Sequence, residues 1–282
     1  MPTRAQYEFG VIDHVRGEKS ASDQTAQLAY IGIFCRKEDV AARLLIRETM
    51  MQVIPSGMMT RFVICQRKDE ELNPMLWAEL RQHDDIQLID CEENMNGGKT
   101  FQYFRTVYKM HPGYGFYAKV DTDSYLLLPL LAVALRCLPT RGHFYGGRCN
   151  GVEQGVTYMS GSFYILSQQL VALLQDCVHS CAELSHGTED MQTARMLAHL
   201  VGNNVTLVDL GRRHSFLRDR DPAEGQAYDQ IVYVHALKTP EDWWHIHQKF
   251  VQHLAVESLN AALKLNFWDG PYSTTRLGPR PG

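Results

Sequence analysis

The sequence predicts an α/β protein with a mostly parallel central sheet and helices on both faces. Short apolar runs rich in strand-forming residues alternate along the chain with segments whose apolar residues recur at helical spacing. Such alternation is typical of parallel strands joined by crossover helices. The chain has 282 residues, of which 45% are hydrophobic and 21% charged. This length and balance suit a globular domain with a sizeable core.

The elements follow one another in a regular order. The first strand is predicted at 28–35, LAYIGIFC, and the first helix at 37–52, where apolar and charged residues separate at helical spacing. Further strands are predicted at 61–66, 86–90, 115–120, 142–149, 158–166, 205–210 and 230–237. Further helices are predicted at 71–82, 97–110, 167–178, 188–200 and 241–263. Ser167 and Thr188 suit helix N-caps, and Pro240 suits the start of the last helix.

The chain is interpreted as one domain with two loose ends. Residues 1–26 are polar and aperiodic, residues 27–268 form the predicted catalytic domain, and residues 269–282 form a Gly/Pro-rich tail.

Charge and hydropathy disfavour two classes of partner. The formal net charge of −4 gives no general attraction for nucleic acid or an anionic membrane. No window approaches the roughly 18–20 apolar residues of a membrane span, and the first 20 residues contain no apolar core of a secretion signal. We therefore expect no nucleic-acid partner and no membrane span in this chain.

The strongest local motif is Asp121-Thr122-Asp123 at the end of an apolar strand. Ligands of open α/β sheets bind beyond the carboxyl ends of the strands, where these carboxylates fall. Two carboxylates so close together need a compensating cation, and hard oxygen ligands favour Mn²⁺ or Mg²⁺. The alternatives are that both aspartates cap a helix beginning near Leu127, or that Asp121 is a phosphatase nucleophile of the haloacid dehalogenase type. Tyr125 and the mid-chain position argue against the phosphatase.

A second carboxylate pair, Glu189-Asp190, begins a predicted helix. A carboxylate aimed into a site can act as a general base that deprotonates an attacking hydroxyl. The alternative is that both residues only stabilise the helix N-terminus.

Two further positions are candidates for the same site. Gly161 interrupts a strand where a side chain is expected, which indicates a close approach to the backbone or a bulge. His235 ends a late strand, again at a carboxyl end, and imidazole is a suitable third metal ligand.

The seven cysteines leave at least one unpaired. A zinc cluster around Cys177 and Cys181 fits no common template, and buried cysteines or one disulfide explain the spacing more simply.

Taken in order, six blocks resemble the β-1,3-glycosyltransferases of family 31, which include β-1,3-galactosyltransferases, β-1,3-N-acetylglucosaminyltransferases and Fringe. The blocks are AARLLIRETM, NGGKTFQYFRTVYKM, YAKVDTDSYL, YMSGSFYILS, GTEDMQTARML and VYVHALKTPEDWW. They extend from about residue 29 to 247. Thr122 stands where the family has Asp, and Met50 where it has Trp.

The resemblance implies a GT-A fold and an inverting transfer from a UDP-sugar with Mn²⁺, Mg²⁺ being the alternative ion. Asp123 would ligate the metal directly, Asp121 would lie beside it or act through water, and His235 would complete the protein ligands. Asp190 would be the base.

The resemblance also implies where the sugar nucleotide and acceptor bind. The nucleotide-sugar contacts would come from Arg43, Arg47, Lys99 and Thr122, and the donor and acceptor pocket would include Ser160, Gly161 and Glu189. Galactose is the first expectation for the donor sugar and N-acetylglucosamine the second, with a glycan or glycoprotein hydroxyl as acceptor. The family implies the Golgi lumen, and the cytoplasm is expected if this chain is the full-length protein. The rival function is a catalytically silent relative that binds glycan or assists folding.

Overall fold

The structure is a computed structural model that describes residues 27–138, 141–153, 155–202, 204–210, 214–216 and 232–256. The predicted leader at 1–26 and tail at 269–282 lie outside the described residues, as does the end of the predicted catalytic domain.

The strands and helices follow the predicted alternation. The strands are β1 (Ala29–Phe34), β2 (Met58–Cys65), β3 (Ile86–Ile89), β4 (Phe116–Asp121), β5 (Ser124–Leu126), β6 (Phe144–Glu153), β7 (Val156–Ser167), β8 (Thr206–Asp209), β9 (His214–Phe216) and β10 (Tyr233–His235). The helices are α1 (Val40–Glu48), α2 (Pro74–Gln82), α3 (Lys99–Met110), α4 (Leu128–Arg136), α5 (Gln168–Leu173), α6 (Glu189–Val201) and α7 (Pro240–Val256).

Within the described residues, seven strands form one sheet in the order β3-β2-β1-β4-β7-β6-β8. The pairs β2–β3, β1–β2, β1–β4 and β6–β8 are parallel, whereas β7 runs antiparallel to both of its neighbours. The connection from β6 to β7 is a short hairpin, which reverses the chain, whereas parallel neighbours need long crossovers. The predicted mostly parallel sheet is confirmed.

Helices cover both faces of this sheet. One core includes apolar residues of α1, α2, α4 and α7, and a second core on the other face includes those of α3, α5 and α6. Because both faces are covered, the central strands are buried along nearly their whole length, as β1 shows. The predicted placement of helices on both faces is confirmed.

A second, three-stranded sheet has the order β5-β10-β9. The strands β5 and β9 were not predicted, because three residues are too few to show a period. The antiparallel pairing of β5 with β10 sets His235 opposite Ser124. This small sheet therefore brings a late segment of the chain against the aspartate motif.

Two disulfides link described cysteines, Cys65–Cys91 and Cys177–Cys181. The first joins the end of β2 to the segment just after the neighbouring strand β3. The second confirms the simpler interpretation of the Cys177 region over a zinc cluster. Among the described helices, none has both the length and the apolarity to cross a membrane.

Candidate active site

The aspartate motif lies where the predicted site was expected, at the carboxyl end of β4. Asp121 is the last residue of that strand, and Thr122 and Asp123 form the turn into β5. The helix α4 begins with Leu127 at its N-cap and with no side-chain cap. The interpretation of the aspartates as caps of this helix is therefore wrong.

The small sheet delivers His235 to Asp123 from 112 positions further along the chain. The imidazole Nε2 of His235 lies 3.5 Å from Asp123 Oδ1, and the backbone N–H of Leu237 donates to the carbonyl of Asp123 over 3.0 Å. Ala236, between them, has a positive φ of 71°, alone among the described non-glycine residues. Such backbone strain tends to persist at functional sites.

A lysine ammonium already accompanies Asp123. The Nζ of Lys238 contacts Asp123 Oδ2. Burial raises the pKa of Asp123, but hydrogen bonds from His235 and Lys238 outweigh burial and hold the pKa at about 2. Asp123 is thus ionised at any ordinary pH, and its negative charge attracts a cation.

The chemistry of Asp123 and His235 fits a divalent ion of the Mn²⁺ type. Two ligands that each lie about 2.1 Å from one ion can be some 3 to 3.5 Å apart, which is the separation of Asp123 Oδ1 and His235 Nε2. Within the described part of the chain, no group of three or more His, Cys, Asp and Glu side chains is arranged to hold a metal. The two residues would hold the ion with its other positions open.

Asp121 is turned away from this pair, toward a buried lysine. Its Oδ1 lies 2.8 Å from Nζ of Lys119, which also lies 2.8 Å from Oε1 of Glu189. Burial lowers the pKa of Lys119, but the carboxylates of Glu189 and Asp121 more than offset this, so its pKa is raised and it stays charged. Burial raises the pKa of Asp121, and Lys119 only partly offsets this.

Gly161 lies beside the same lysine. Its carbonyl oxygen accepts a hydrogen bond from Lys119 Nζ. A Cβ at Gly161 would lie 2.8 Å from Glu189 Oε1 and 3.7 Å from Asp190 Oδ2. The predicted close approach to the backbone of Gly161 is confirmed, and the groups that approach it are side chains of Lys119, Glu189 and Asp190.

The two carboxylates at the start of α6 have different surroundings. Glu189 accepts from Thr100 Oγ1 at 3.0 Å and from Tyr164 OH at 2.8 Å, both through Oε2, while Oε1 faces Lys119. Asp190 accepts from Thr188 Oγ1 at 2.5 Å and from its neighbour's backbone N–H at 2.9 Å, both through Oδ1. Glu189 is therefore fixed in a network, whereas Oδ2 of Asp190 is directed toward Gly161.

Neither predicted N-cap residue uses its side chain as a cap. Thr188 occupies the N-cap position of α6 but donates to Asp190, and Ser167 occupies that of α5 but accepts from the backbone of Phe144. Ser160, predicted in the donor and acceptor pocket, lies next to Gly161 with its Oγ 3.0 Å from that of Ser162.

The predicted nucleotide contacts of Arg43 and Arg47 need correction. Arg43 is fully buried and makes a two-point ion pair with Glu79 at 2.8 and 2.6 Å. Its Nη1 donates to the carbonyl of Arg36 in the loop after β1. Arg47 pairs with Glu79 and with Asp85, each at 2.7 Å. Both arginines hold helices and loops together, because their charged groups are already paired within the protein.

Lys99 also needs correction. It is 1% exposed, and its Nζ donates to the carbonyl of Cys35 at 2.8 Å and to Glu93 Oε1 at 2.5 Å. Glu93 in turn accepts from the backbone N–H of Cys65 over 3.1 Å. Lys99 thus ties together the carboxyl ends of β1 and β2 instead of facing a nucleotide.

Four site residues were missed by the sequence prediction: Lys119, Thr100, Tyr164 and Lys238. A charged residue inside the apolar run FYAKV was the available signal for Lys119. Lys238 follows His235 by three residues and offered no comparable signal.

The sheet is mostly parallel, has helices on both faces and carries carboxylates at its carboxyl edge. Comparisons with known proteins indicate a glycosyltransferase. Residues 41–154 match the family model described as Galactosyltransferase. Two relatives agree. The probable β-1,3-galactosyltransferase 13 of Arabidopsis thaliana is 30% identical over 127 residues, which are 41% of this chain and 36% of that protein. The β-1,3-galactosyltransferase pvg3 of Schizosaccharomyces pombe is 24% identical over 83% of this chain and 78% of its own.

The resemblance to the β-1,3-galactosyltransferases of family 31 is confirmed by these matches. The matched region spans just over a third of the Arabidopsis protein.

Among solved structures, galactosyltransferase LgtC in complex with donor and acceptor sugar analogues has a TM-score of 0.45 and 10% identity, over 81% of this chain and 96% of that one. Glycosyltransferase GlyE of Streptococcus pneumoniae has a TM-score of 0.44 and 10% identity, over 84% and 64%. Likenesses this distant carry no argument about substrate or mechanism.

Proposed function

We propose that this glycosyltransferase is a Mn²⁺-dependent, inverting hexosyltransferase that moves galactose from UDP-galactose to a hydroxyl of a glycan or glycoprotein, in β-1,3 linkage. N-acetylglucosamine is the alternative donor sugar. The observation that carries the proposal is the contact between Asp123 and His235 at the end of β4. Asp190, at the start of α6, lies close to Gly161 of the neighbouring strand β7. The matches to β-1,3-galactosyltransferases support the choice of sugar and linkage.

Asp123 and His235 would hold the ion, with Mg²⁺ as the alternative. When bound, the ion offsets the negative charge that develops on the departing UDP. Asp123 suits this task because its low pKa keeps it ionised. Lys238, already at Asp123, adds a positive charge at the same edge.

Asp190 is the proposed base, and the structure favours it over Glu189. Both oxygens of Glu189 are engaged, one with Lys119 and the other with Thr100 and Tyr164. Oδ1 of Asp190 is fixed by hydrogen bonds, which leaves Oδ2 to accept the proton of the acceptor hydroxyl. The hydroxyl oxygen then bonds to the anomeric carbon as the bond from that carbon to the diphosphate oxygen breaks. The electron pair leaves with UDP, and a single displacement inverts the configuration.

The test compares Asp190→Asn with Asp176→Asn, an exposed aspartate that serves as the matched control. UDP release is measured with UDP-galactose, UDP-N-acetylglucosamine and other UDP-sugars, a panel of glycan acceptors, Mn²⁺ and, separately, EDTA. We expect one donor to turn over with Mn²⁺ only, and Asp190→Asn to lose at least about 100-fold in kcat, with Asp176→Asn unchanged.

The rival functions give different outcomes. Tight UDP-sugar binding without transfer to any acceptor would favour the silent relative. The comparisons support a glycosyltransferase, so the phosphatase alternative is dropped. Full activity of Asp190→Asn would refute the base.

The proposed compartment is the Golgi lumen. The two disulfides support it, because disulfides persist in oxidising compartments and are rare in the cytosol. Imaging of the tagged protein expressed from its native gene tests this, and a cytosolic distribution would contradict it.

A further inference from the structure

Lys119 is a buried charge at the centre of the sheet with no role in the proposed chemistry. Lys119 is fully buried, and it lies on β4 two residues before Asp121, so both side chains lie on the same side of the strand. A buried ammonium is costly unless it is paired and hydrogen-bonded. The groups that pair with Lys119 therefore indicate the role of its charge.

These partners come from three separate segments of the chain. Asp121 Oδ1 of β4 and Glu189 Oε1 of α6 each lie 2.8 Å from Nζ, and the carbonyl of Gly161 on β7 accepts a hydrogen bond. The ammonium also lies 5.6 Å from the ring centre of Phe34. One cation thus joins the aspartate motif, the glycine strand and the start of the helix that carries the proposed base.

Glu189 transmits this connection to α6. Besides Lys119 it is held by Thr100 and Tyr164, and its backbone N–H donates to Asn96 Oδ1 at 3.0 Å. These contacts fix the first residue of α6, which is the neighbour of the proposed base Asp190.

We propose that Lys119 is a positioning residue that holds the metal-binding aspartate motif and the N-terminus of α6, with Asp190, as one unit across β4 and β7. This inference rests on the proposed transferase function. It concerns geometry and not folding energy, because a buried ion cluster replaced by apolar groups of similar size is often no less stable.

The experiment compares Lys119→Met, which keeps the length of the side chain and removes the charge, with Lys68→Met. Lys68 is the matched control because it is 85% exposed and pairs with Asp90 only at the surface. For each protein we would measure kcat, KM for UDP-galactose, the midpoint of thermal unfolding, and the Kd of Mn²⁺ alone by electron paramagnetic resonance.

Lys119→Met is expected to lower kcat about 100-fold with little change in KM for the donor, as for a misplaced catalytic group. It should also weaken Mn²⁺ binding by about tenfold, because Lys119 fixes Asp121, which lies two residues before the proposed ligand Asp123. Removal of a positive charge near the site would by itself relieve Coulomb repulsion and tighten Mn²⁺ binding. The direction of the change in Kd therefore separates positioning from charge alone.

Three results would overturn the inference. If Lys119→Met has the kcat and Mn²⁺ affinity of Lys68→Met, Lys119 positions neither group. If Lys119→Met binds Mn²⁺ more tightly and keeps its kcat, Lys119 acts only through its charge. A wild type that transfers no sugar would refute the proposed function, and the inference with it, before any variant is compared.

If Lys119→Met does not fold, Glu189→Gln tests the same connection from its other end. This variant keeps the shape and the hydrogen bonds to Thr100 and Tyr164 but removes the charge that Lys119 contacts. A drop in kcat of about tenfold or more supports the inference, and a kcat equal to that of the wild type overturns it.

Discussion

Gly161→Ala tests how tightly the centre of the site is packed. A Cβ at this position would lie 2.8 Å from Glu189 Oε1, inside the 3.4 Å at which ordinary contacts begin. The two atoms must separate by roughly 0.6 Å to relieve the overlap. Glu189 cannot yield easily, because Lys119, Thr100 and Tyr164 all hold it.

The expected cost follows from this lack of freedom. An added methyl group in a packed site costs about 1–3 kcal/mol, which for a domain of this size lowers the midpoint of thermal unfolding by roughly 4–8 °C if the cost is near 2 kcal/mol. Displacement of Glu189 should also move its neighbour Asp190. We expect kcat to fall about 10- to 100-fold.

The assay pairs thermal unfolding with initial rates of UDP release. Gly115→Ala is the control, because the nearest atom to its added Cβ, the carbonyl oxygen of Leu28, lies at 3.4 Å. Gly161→Ala with the stability and kcat of Gly115→Ala would refute the argument that the cluster around Glu189 is rigid.

Three other perturbations have defined outcomes. Glu79→Gln removes the charge of a buried carboxylate that pairs with two arginines, and it should lower the free energy of unfolding, measured with urea, by about 3 kcal/mol. The control Glu71→Gln, at an exposed position, should change it by less than about 0.5 kcal/mol. Equal effects of the two variants would contradict a stabilising role of the buried ion pairs. Replacing both Cys65 and Cys91 by Ser opens a loop of 26 residues and should cost about 3 kcal/mol; an unchanged urea midpoint would contradict it. His235→Ala should weaken Mn²⁺ binding at least about tenfold, and unchanged binding would exclude His235 as a ligand.

Sequence reasoning recovered the parts of the fold that have a period. The strands around LAYIGIFC and FYAKV and the helix at Lys99–Met110 follow from their apolar patterns. The aspartate motif follows as well, since its carboxylates end an apolar strand. The short β5 carries no period of its own and forms only because β10 pairs with it.

The errors at the site have one physical cause, which is that ion pairs across the fold leave no mark on local sequence. Arg43 and Arg47 resemble residues of an anion site, but their partner Glu79 lies on a different helix. Lys119 lies within the predicted strand GFYAKV, and its partner Glu189 is 70 residues away. Such pairings become visible only when the chain has folded.

The most direct test of the proposed function is the anomeric configuration of the product. Wild-type protein would be incubated with UDP-galactose, Mn²⁺ and a panel of glycan acceptors, with an EDTA control, and the new linkage would be read by proton NMR. A β-linked galactose that appears with Mn²⁺ and not with EDTA is the expected result. An α-linked product would contradict the single displacement with Asp190 as base, and the absence of any product would contradict the transferase function itself.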